Sequence, residues 1–142
     1  MEVSDVRRRL RGAIDEARRR TAERRARNDE AARAWEQILS GTAVPLFQTL
    51  ASALVAEGYR FKVLTPGDTV RLSLERSPEE FVELGLDTQR DEPALLVRST
   101  HGRGRRMLSS ERIVREGAAV ATVTEDDLIS AVLEELVPFV ER

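Results

Sequence analysis

The stretch from Tyr59 to Ser99 constrains the fold more than any other part of this sequence. Along three of its runs apolar residues alternate with polar ones, and a period of two is typical of half-buried β-strands. The alternating apolar residues are Tyr59, Phe61, Val63, Val70, Leu72, Leu74, Val82, Leu84 and Leu86. Proline, glycine and acidic residues at 65–68 and 76–80 supply turns between the runs. The stretch therefore predicts an antiparallel meander.

One register keeps these apolar side chains on a single face of the sheet. Its cross-strand pairs include Phe61–Leu72, Leu74–Val82 and Leu86–Leu95. A one-residue slip of any strand would turn its apolar side chains to the other face. On that other face the register sets Glu83 opposite Arg98. We expect an exposed pair on a solvated surface, where Glu83 adds little stability.

Two helices are predicted ahead of the meander. Residues 4–38 contain no proline and are rich in Ala, Arg and Glu, which favours one long helix. Ser40-Gly41-Thr42 is expected to break it. A second helix then runs from about Val44 to Glu57, with Phe47 and Leu54 as core candidates on its apolar stripe.

The C-terminal segment predicts a further helix that begins at Thr124, where Thr124 and Asp127 resemble a capping box. Pro138 is expected to kink or end this helix near Val137. The inward stripe is predicted to be Ile129, Val132, Leu133, Leu136 and Val140. Neighbouring helix residues point about 100° apart, so the acidic pairs Asp126-Asp127 and Glu134-Glu135 are expected to face solvent. Between meander and helix we expect edge strand near 107–114 and a last short strand at 118–123.

These segments together predict an α+β fold. Residues 1–40 form an arginine-rich N-terminal helix, a candidate coiled coil, and residues 41–142 form the sheet domain. In that domain a helix precedes an antiparallel meander sheet of 4–5 strands. The C-terminal helix packs on one face of the sheet, which follows the layering of segregated α+β folds.

The N-terminal helix can be written as a heptad seam. Its candidate oligomer-interface residues are Leu10, Ile14, Ala17, Thr21, Asn28 and Trp35. The middle of the seam is polar, so a continuous two-stranded coil is weak by itself. Three interpretations stay open: an exposed helix that projects or packs loosely, a helix that self-associates, and an arginine-dense face that binds an anion.

Basic residues are concentrated in two segments. Arg7 to Arg27 contains ten arginines and three acidic residues, a local balance of +7, and Arg98 to Arg106 surrounds the one histidine with arginines and two glycines. We expect the second segment to be a loop. If both segments lie on one side, they form a single phosphate-binding surface. The candidate anion-binding residues are Arg18, Arg19, Arg24, Arg25, Arg98, His101, Arg103, Arg105 and Arg106.

Several kinds of site find no support in the sequence. The absence of cysteine excludes disulfides, thiolate zinc sites and a cysteine nucleophile. A single histidine does not predict a metal site, and no P-loop or nucleic-acid motif accompanies the arginines. We therefore predict no catalytic residues, cofactor or metal. With no leader pattern and no apolar run near 20 residues, we expect a cytoplasmic protein without a transmembrane segment.

Three classes of function remain. The first is a non-enzymatic interaction module, a homo-oligomer held by its N-terminal helix that presents the sheet domain to a protein partner. The second is a binder of nucleic acid or another polyanion through the two basic segments. The third is a small-molecule-binding or enzymatic domain with a cavity between the sheet and the C-terminal helix, where the Tyr59 hydroxyl is the main polar group.

Overall fold

A computed structural model describes residues 1–141 and confirms the predicted α+β architecture. The helices are α1 (Val3–Ile38), α2 (Val44–Ala56) and α3 (Glu125–Val140). The strands are β1 (Phe61–Leu64), β2 (Val70–Leu74), β3 (Ser77–Asp87), β4 (Ala94–Arg103) and β5 (Arg106–Glu116). They form an open antiparallel sheet in the order β1-β2-β3-β4-β5, so the meander extends to a fifth strand.

The chain stays helical between α1 and α2. Leu39–Ala43 forms a turn of π-helix, so the expected break at Ser40-Gly41-Thr42 is wrong. Ala43 is fully buried, and this packing holds the segment helical despite its weak helix formers. Because the helix is continuous here, Pro45 lies inside it and its missing N–H removes one backbone hydrogen bond to the turn of π-helix.

This continuous helix contains a window that bears on the expectation about membrane segments. Within Val3–Ala56, an 18-residue window has a mean hydropathy of 1.5 and is 17% buried, so by length and composition alone it could cross a membrane. The core helices of globular proteins pass the same test, and Leu46, Phe47 and Leu50 pack in the core here. The window is therefore weak evidence for a membrane span.

The core lies between one face of the sheet and the helices α2, α3 and the end of α1. We call this covered side the inner face of the sheet and the other side the outer face. Phe47, a predicted core residue, is fully buried, whereas Leu54 only packs against the edge of the core. The sheet contributes Val70, Leu72, Leu74, Val82, Leu84, Leu95 and Val97 to the same buried cluster.

Helix α3 begins as predicted and ends differently. The Thr124–Asp127 capping box is present, and hydrogen bonds from Thr124 lower the pKa of the Asp127 carboxyl. Pro138 lies inside the helix and does not end it, because a proline in the last turn removes only one hydrogen bond. The buried apolar stripe is Leu128, Val132, Leu136 and Phe139, whereas Leu133 and Val140 are exposed.

The register of the sheet is partly as predicted. The observed pairs include Phe61–Leu74, Leu72–Val82 and Leu86–Leu95. The β3–β4 register is thus confirmed, while β1–β2 and β2–β3 are each shifted by two residues. A shift of two keeps every side chain on its face. The β2–β3 turn is tighter than expected because Ser77 already pairs with Leu74. The β1–β2 loop is longer than expected because Leu64 pairs with Arg71 and not with Thr69.

The segment after the meander also differs from the prediction. β5 is a full strand along β4, not a short edge piece. Gly117–Thr122 then forms a 3-10 helix where a last strand was expected. Gly117 has a φ of +60°, which turns the chain out of the sheet, and its N–H donates to the Pro93 carbonyl at 2.7 Å.

The outer face is not uniformly solvated, which corrects the expectation for Glu83. Its side chain is only 8% exposed, and its Oε2 accepts a hydrogen bond from Arg71 Nε at 2.8 Å. Arg71 lies directly opposite Glu83 on β2, and its guanidinium covers the Phe81 ring at 4.0 Å. Neighbouring side chains therefore shield this carboxylate although no helix covers it.

We expect Glu83→Ala to destabilise the fold by about 1–3 kcal/mol, because it leaves a half-buried Arg71 without its partner. Glu111→Ala is the matched control, since the Glu111 side chain is 47% exposed; it should cost less than about 1 kcal/mol. Denaturant titration followed by circular dichroism measures both. Equal losses in the two variants would show that Glu83 behaves as a surface residue.

Candidate functional site

The C-terminal part of helix α1 packs against the sheet domain. The Trp35 side chain is 1% exposed, and its Nε1 donates to the Asp68 carbonyl at 2.7 Å. Asn28 Nδ2 donates to the Thr88 carbonyl at 3.4 Å. Asp68 precedes β2 and Thr88 follows β3, so both loops lie at one end of the sheet, and α1 crosses that end.

These contacts correct two of the predicted interface residues. Trp35 and Asn28 are engaged by their own domain, because the seam that was predicted to face another chain here faces the sheet. Ala31, between them, is 5% exposed and also packs inward. The C-terminal part of the seam is therefore an intramolecular contact.

The N-terminal part of α1 projects from the domain. Residues 1–26 are exposed apart from Asp5 and Glu16, which are partly covered by arginines of the same helix. The exposed fraction is 58% for Leu10 and 41% for Ile14. The other predicted interface residues, Ala17 and Thr21, are exposed as well. Leu10, Ile14, Ala17 and Thr21 form one stripe, which we call the exposed stripe, and it continues the buried seam.

A row of arginines follows one side of the exposed stripe. Arg11, Arg18 and Arg25 are seven residues apart, so they stack above one another at a position that flanks the seam. Shallow grooves run between this row and the stripe, at Ile14 and Thr21 among other residues. Among the ion pairs formed within residues 1–141, none involves these three arginines. We call them the flanking row.

On the other side of the stripe the arginines are already paired. Arg20 binds Glu16 at 3.2 Å, and Arg27 lies 3.6 Å from Glu92. Glu16 also accepts a hydrogen bond from Arg19, which lowers the pKa of the Glu16 carboxyl. The arginines on this side are thus neutralised by carboxylates, whereas those of the flanking row are not.

The predicted anion-binding residues of α1 do not all share a face. Arg18 and Arg25 belong to the flanking row, but Arg19 points to the side away from the stripe and Arg24 lies on the seam itself. At 100° per residue these four span more than half of the helix circumference. Arg18 and Arg25 are therefore the two of these four that lie on the same side of the helix.

The second basic segment is a β-hairpin, not a loop. β4 and β5 pair as far as Arg103 and Arg106, and Gly104-Arg105 forms the turn, with a φ of +65° at Gly104. Arg103, Arg105 and Arg106 are exposed at this tip. Gly104 is needed for the tight turn, so its presence does not indicate that the backbone approaches an anion here.

The other predicted residues of this segment face elsewhere. Arg98 lies on the outer face, where its Nε donates to Glu111 at 3.0 Å. His101 lies on the inner face with its ring 5.8 Å from the Phe139 ring. The hairpin tip is also about 33 Å along β4 from the end of the sheet that α1 crosses. The two basic segments therefore do not form one phosphate-binding surface.

Glu135 was expected to face solvent and is instead a buried carboxylate, 7% exposed. Its Oε2 accepts a hydrogen bond from Ser99 Oγ at 2.7 Å, and its Oε1 accepts one from Arg112 Nε at 2.9 Å. Both partners lie on the inner face of the sheet. Both oxygens of the carboxylate are paired, so this cluster holds α3 against β4 and β5.

We expect Glu135→Ala to lower the free energy of unfolding by about 1–3 kcal/mol, because Ser99 and Arg112 lose their shared acceptor. The neighbouring Glu134→Ala is the control: the Glu134 side chain is 67% exposed and pairs with Arg112 alone among residues 1–141, so the expected loss is below about 1 kcal/mol. Urea denaturation of both variants tests this. A larger loss of stability for Glu134→Ala than for Glu135→Ala would contradict the assignment of Glu135 as the buried, stabilising carboxylate.

A cleft of about 480 Å³ lies between α3 and the start of β1, at the end of the sheet opposite α1. The sequence pointed to a cavity at the C-terminal helix and to Tyr59, which lines this cleft. It missed Phe139, another lining residue, because Pro138 was expected to end the helix first.

Neither a metal site nor a similar protein helps to assign a function to the described residues. Across residues 1–141, no group of three or more His, Asp or Glu side chains could hold a metal ion. Comparison with protein-family models, with curated proteins and with solved structures found no match. The function is therefore inferred from the geometry and charge of this chain's own residues.

Proposed function

We propose that this protein is a non-enzymatic interaction module whose projecting helix α1 docks an acidic amphipathic helix of a partner protein. The observation that carries the proposal is the unpaired flanking row beside the exposed stripe. A partner helix would cover Leu10 and Ile14 with its own apolar residues. Its acidic side chains would meet Arg11, Arg18 and Arg25, as opposite charges do at the flanks of coiled-coil seams.

The apolar side chains favour a protein partner over nucleic acid. Phosphate contacts need only the arginines, whereas Leu10 and Ile14 gain by removal from water, at about 25 cal/mol per Å² of apolar surface buried. A helix laid along the stripe uses both features at once, which is the helix-in-groove mode of recognition.

The charges argue against pairing with a second copy of α1. In a parallel pair the heptad places Arg25 of one helix opposite Arg20 of the other. In an antiparallel pair the flanking row faces its own copy. Like charges in these positions repel, so the oligomerisation suggested by the seam is less favourable than binding an acidic partner.

The proposal can be tested with a designed peptide of about four heptads that carries Ile and Leu on its seam and Glu at both flanks. We expect the full chain to bind it, as measured by isothermal titration calorimetry. Reversing the row with Arg11→Glu, Arg18→Glu and Arg25→Glu should weaken binding at least about tenfold. Leu10→Ser with Ile14→Ser should also weaken binding, because it removes the apolar contact.

The matched control reverses three arginines away from the stripe, with Arg8→Glu, Arg19→Glu and Arg33→Glu. It changes the net charge equally and should leave peptide affinity within about threefold of the unchanged protein. Equal losses in both triple variants, with tighter binding of a DNA duplex of about 20 base pairs, would favour a polyanion binder. A stable dimer by light scattering at low and moderate salt would favour self-association. Either result contradicts the proposal.

A further inference from the structure

The cleft opposite α1 has the size and lining of a small-molecule site. Its volume of about 480 Å³ falls within the range of roughly 300–1,000 Å³ that ligand pockets occupy. Its apolar wall consists of Tyr59, Phe61, Leu74 and Phe139. Aromatic walls of this kind favour flat apolar ligands, which can stack on a ring face or meet a ring edge.

Backbone hydrogen bonds and ring packing hold this wall in place. Gly58, with a φ of +93°, turns the chain from α2 towards β1, and the N–H of Tyr59 donates to the Leu54 carbonyl at 2.7 Å. The Phe61 and Phe139 rings meet edge to face, with centroids 5.5 Å apart and an interplanar angle of 75°. These contacts fix the positions of the side chains that form the wall.

Two arginines stand at the mouth of the cleft. Arg60 precedes β1 and Arg76 lies in the β2–β3 turn, and both are exposed. The Glu75 N–H donates to the Arg60 carbonyl at 3.0 Å, which joins the two segments that carry these side chains. As far as the structure describes the chain, from 1 to 141, Arg60, Arg76 and Glu75 take part in no ion pair. Two arginines and one glutamate that form no ion pair within residues 1–141 therefore line the mouth of the cleft.

We propose that this cleft binds a small carboxylate with a flat apolar body of one or two rings. The body would lie against Tyr59, Phe61 and Phe139, and the carboxylate would reach the guanidinium groups at the mouth. Arginine is suited to this role because its planar fork donates two parallel hydrogen bonds to a carboxylate. The site is separate from α1, so this proposal does not depend on the proposed binding of a partner helix.

The probe for this site is 2-naphthoate, compared with the neutral 2-naphthamide of the same shape. Titration into the ¹⁵N-labelled full chain is followed by amide chemical shifts. We expect saturable shifts at residues 58–61, 74–76 and 139, and binding of the amide to be about fivefold weaker. Arg60→Gln with Arg76→Gln should weaken naphthoate binding by a similar factor and leave naphthamide binding unchanged.

Arg33→Gln serves as the control, because Arg33 is an exposed arginine of α1 far from the cleft; it should bind naphthoate as the unchanged chain does. The amide spectrum of each variant reports whether it is folded. Shifts that do not saturate, or that map to residues 7–25 of α1, would overturn the proposal. Equal affinity for naphthoate and naphthamide would overturn the assignment of the anionic group.

Discussion

The burial of Trp35 is the contact on which the arrangement of this protein depends. Its indole lies in the core, and the indole N–H donates a hydrogen bond to the Asp68 carbonyl in the loop before β2. A buried tryptophan contributes several kcal/mol, so it fixes where α1 lies across the end of the sheet. The part of α1 that precedes Arg27 then extends beyond the domain. The same seam is thus an intramolecular contact at one end of the helix and an exposed stripe at the other.

The sheet separates two features of different chemistry. At one end of the strands, α1 carries exposed apolar side chains beside unpaired arginines, an arrangement suited to an extended acidic partner. At the other end, the last turn of α3 and the start of β1 enclose a cleft suited to a small molecule. Buried carboxylates at Glu83 and Glu135 lie between these ends, and their hydrogen bonds to Arg71, Ser99 and Arg112 stabilise the sheet and α3.

Period and composition were enough to predict the helices, the meander and the face that is buried. They did not predict the register of β1 and β2, because a shift of two residues leaves the hydrophobic pattern unchanged. Glu83 and Glu135 were assigned to solvent because a sequence does not show which arginine will cover a carboxylate. Phe139 was missed because Pro138 is tolerated in a last turn. The arginine row could be read from the sequence, but its freedom from ion pairs could not.

The central claim is that α1 changes from a packed helix to a projecting one near Arg27. Amide hydrogen exchange on the full chain at low concentration tests this most directly, because opening free energies follow local packing. We expect residues 28–38 to be protected nearly as well as the central strands, and residues 3–26 to exchange at least about 100-fold faster, since an isolated helix is marginally stable in water. Uniform strong protection along all of α1 would contradict the account, because it would mean that the N-terminal part is packed against something.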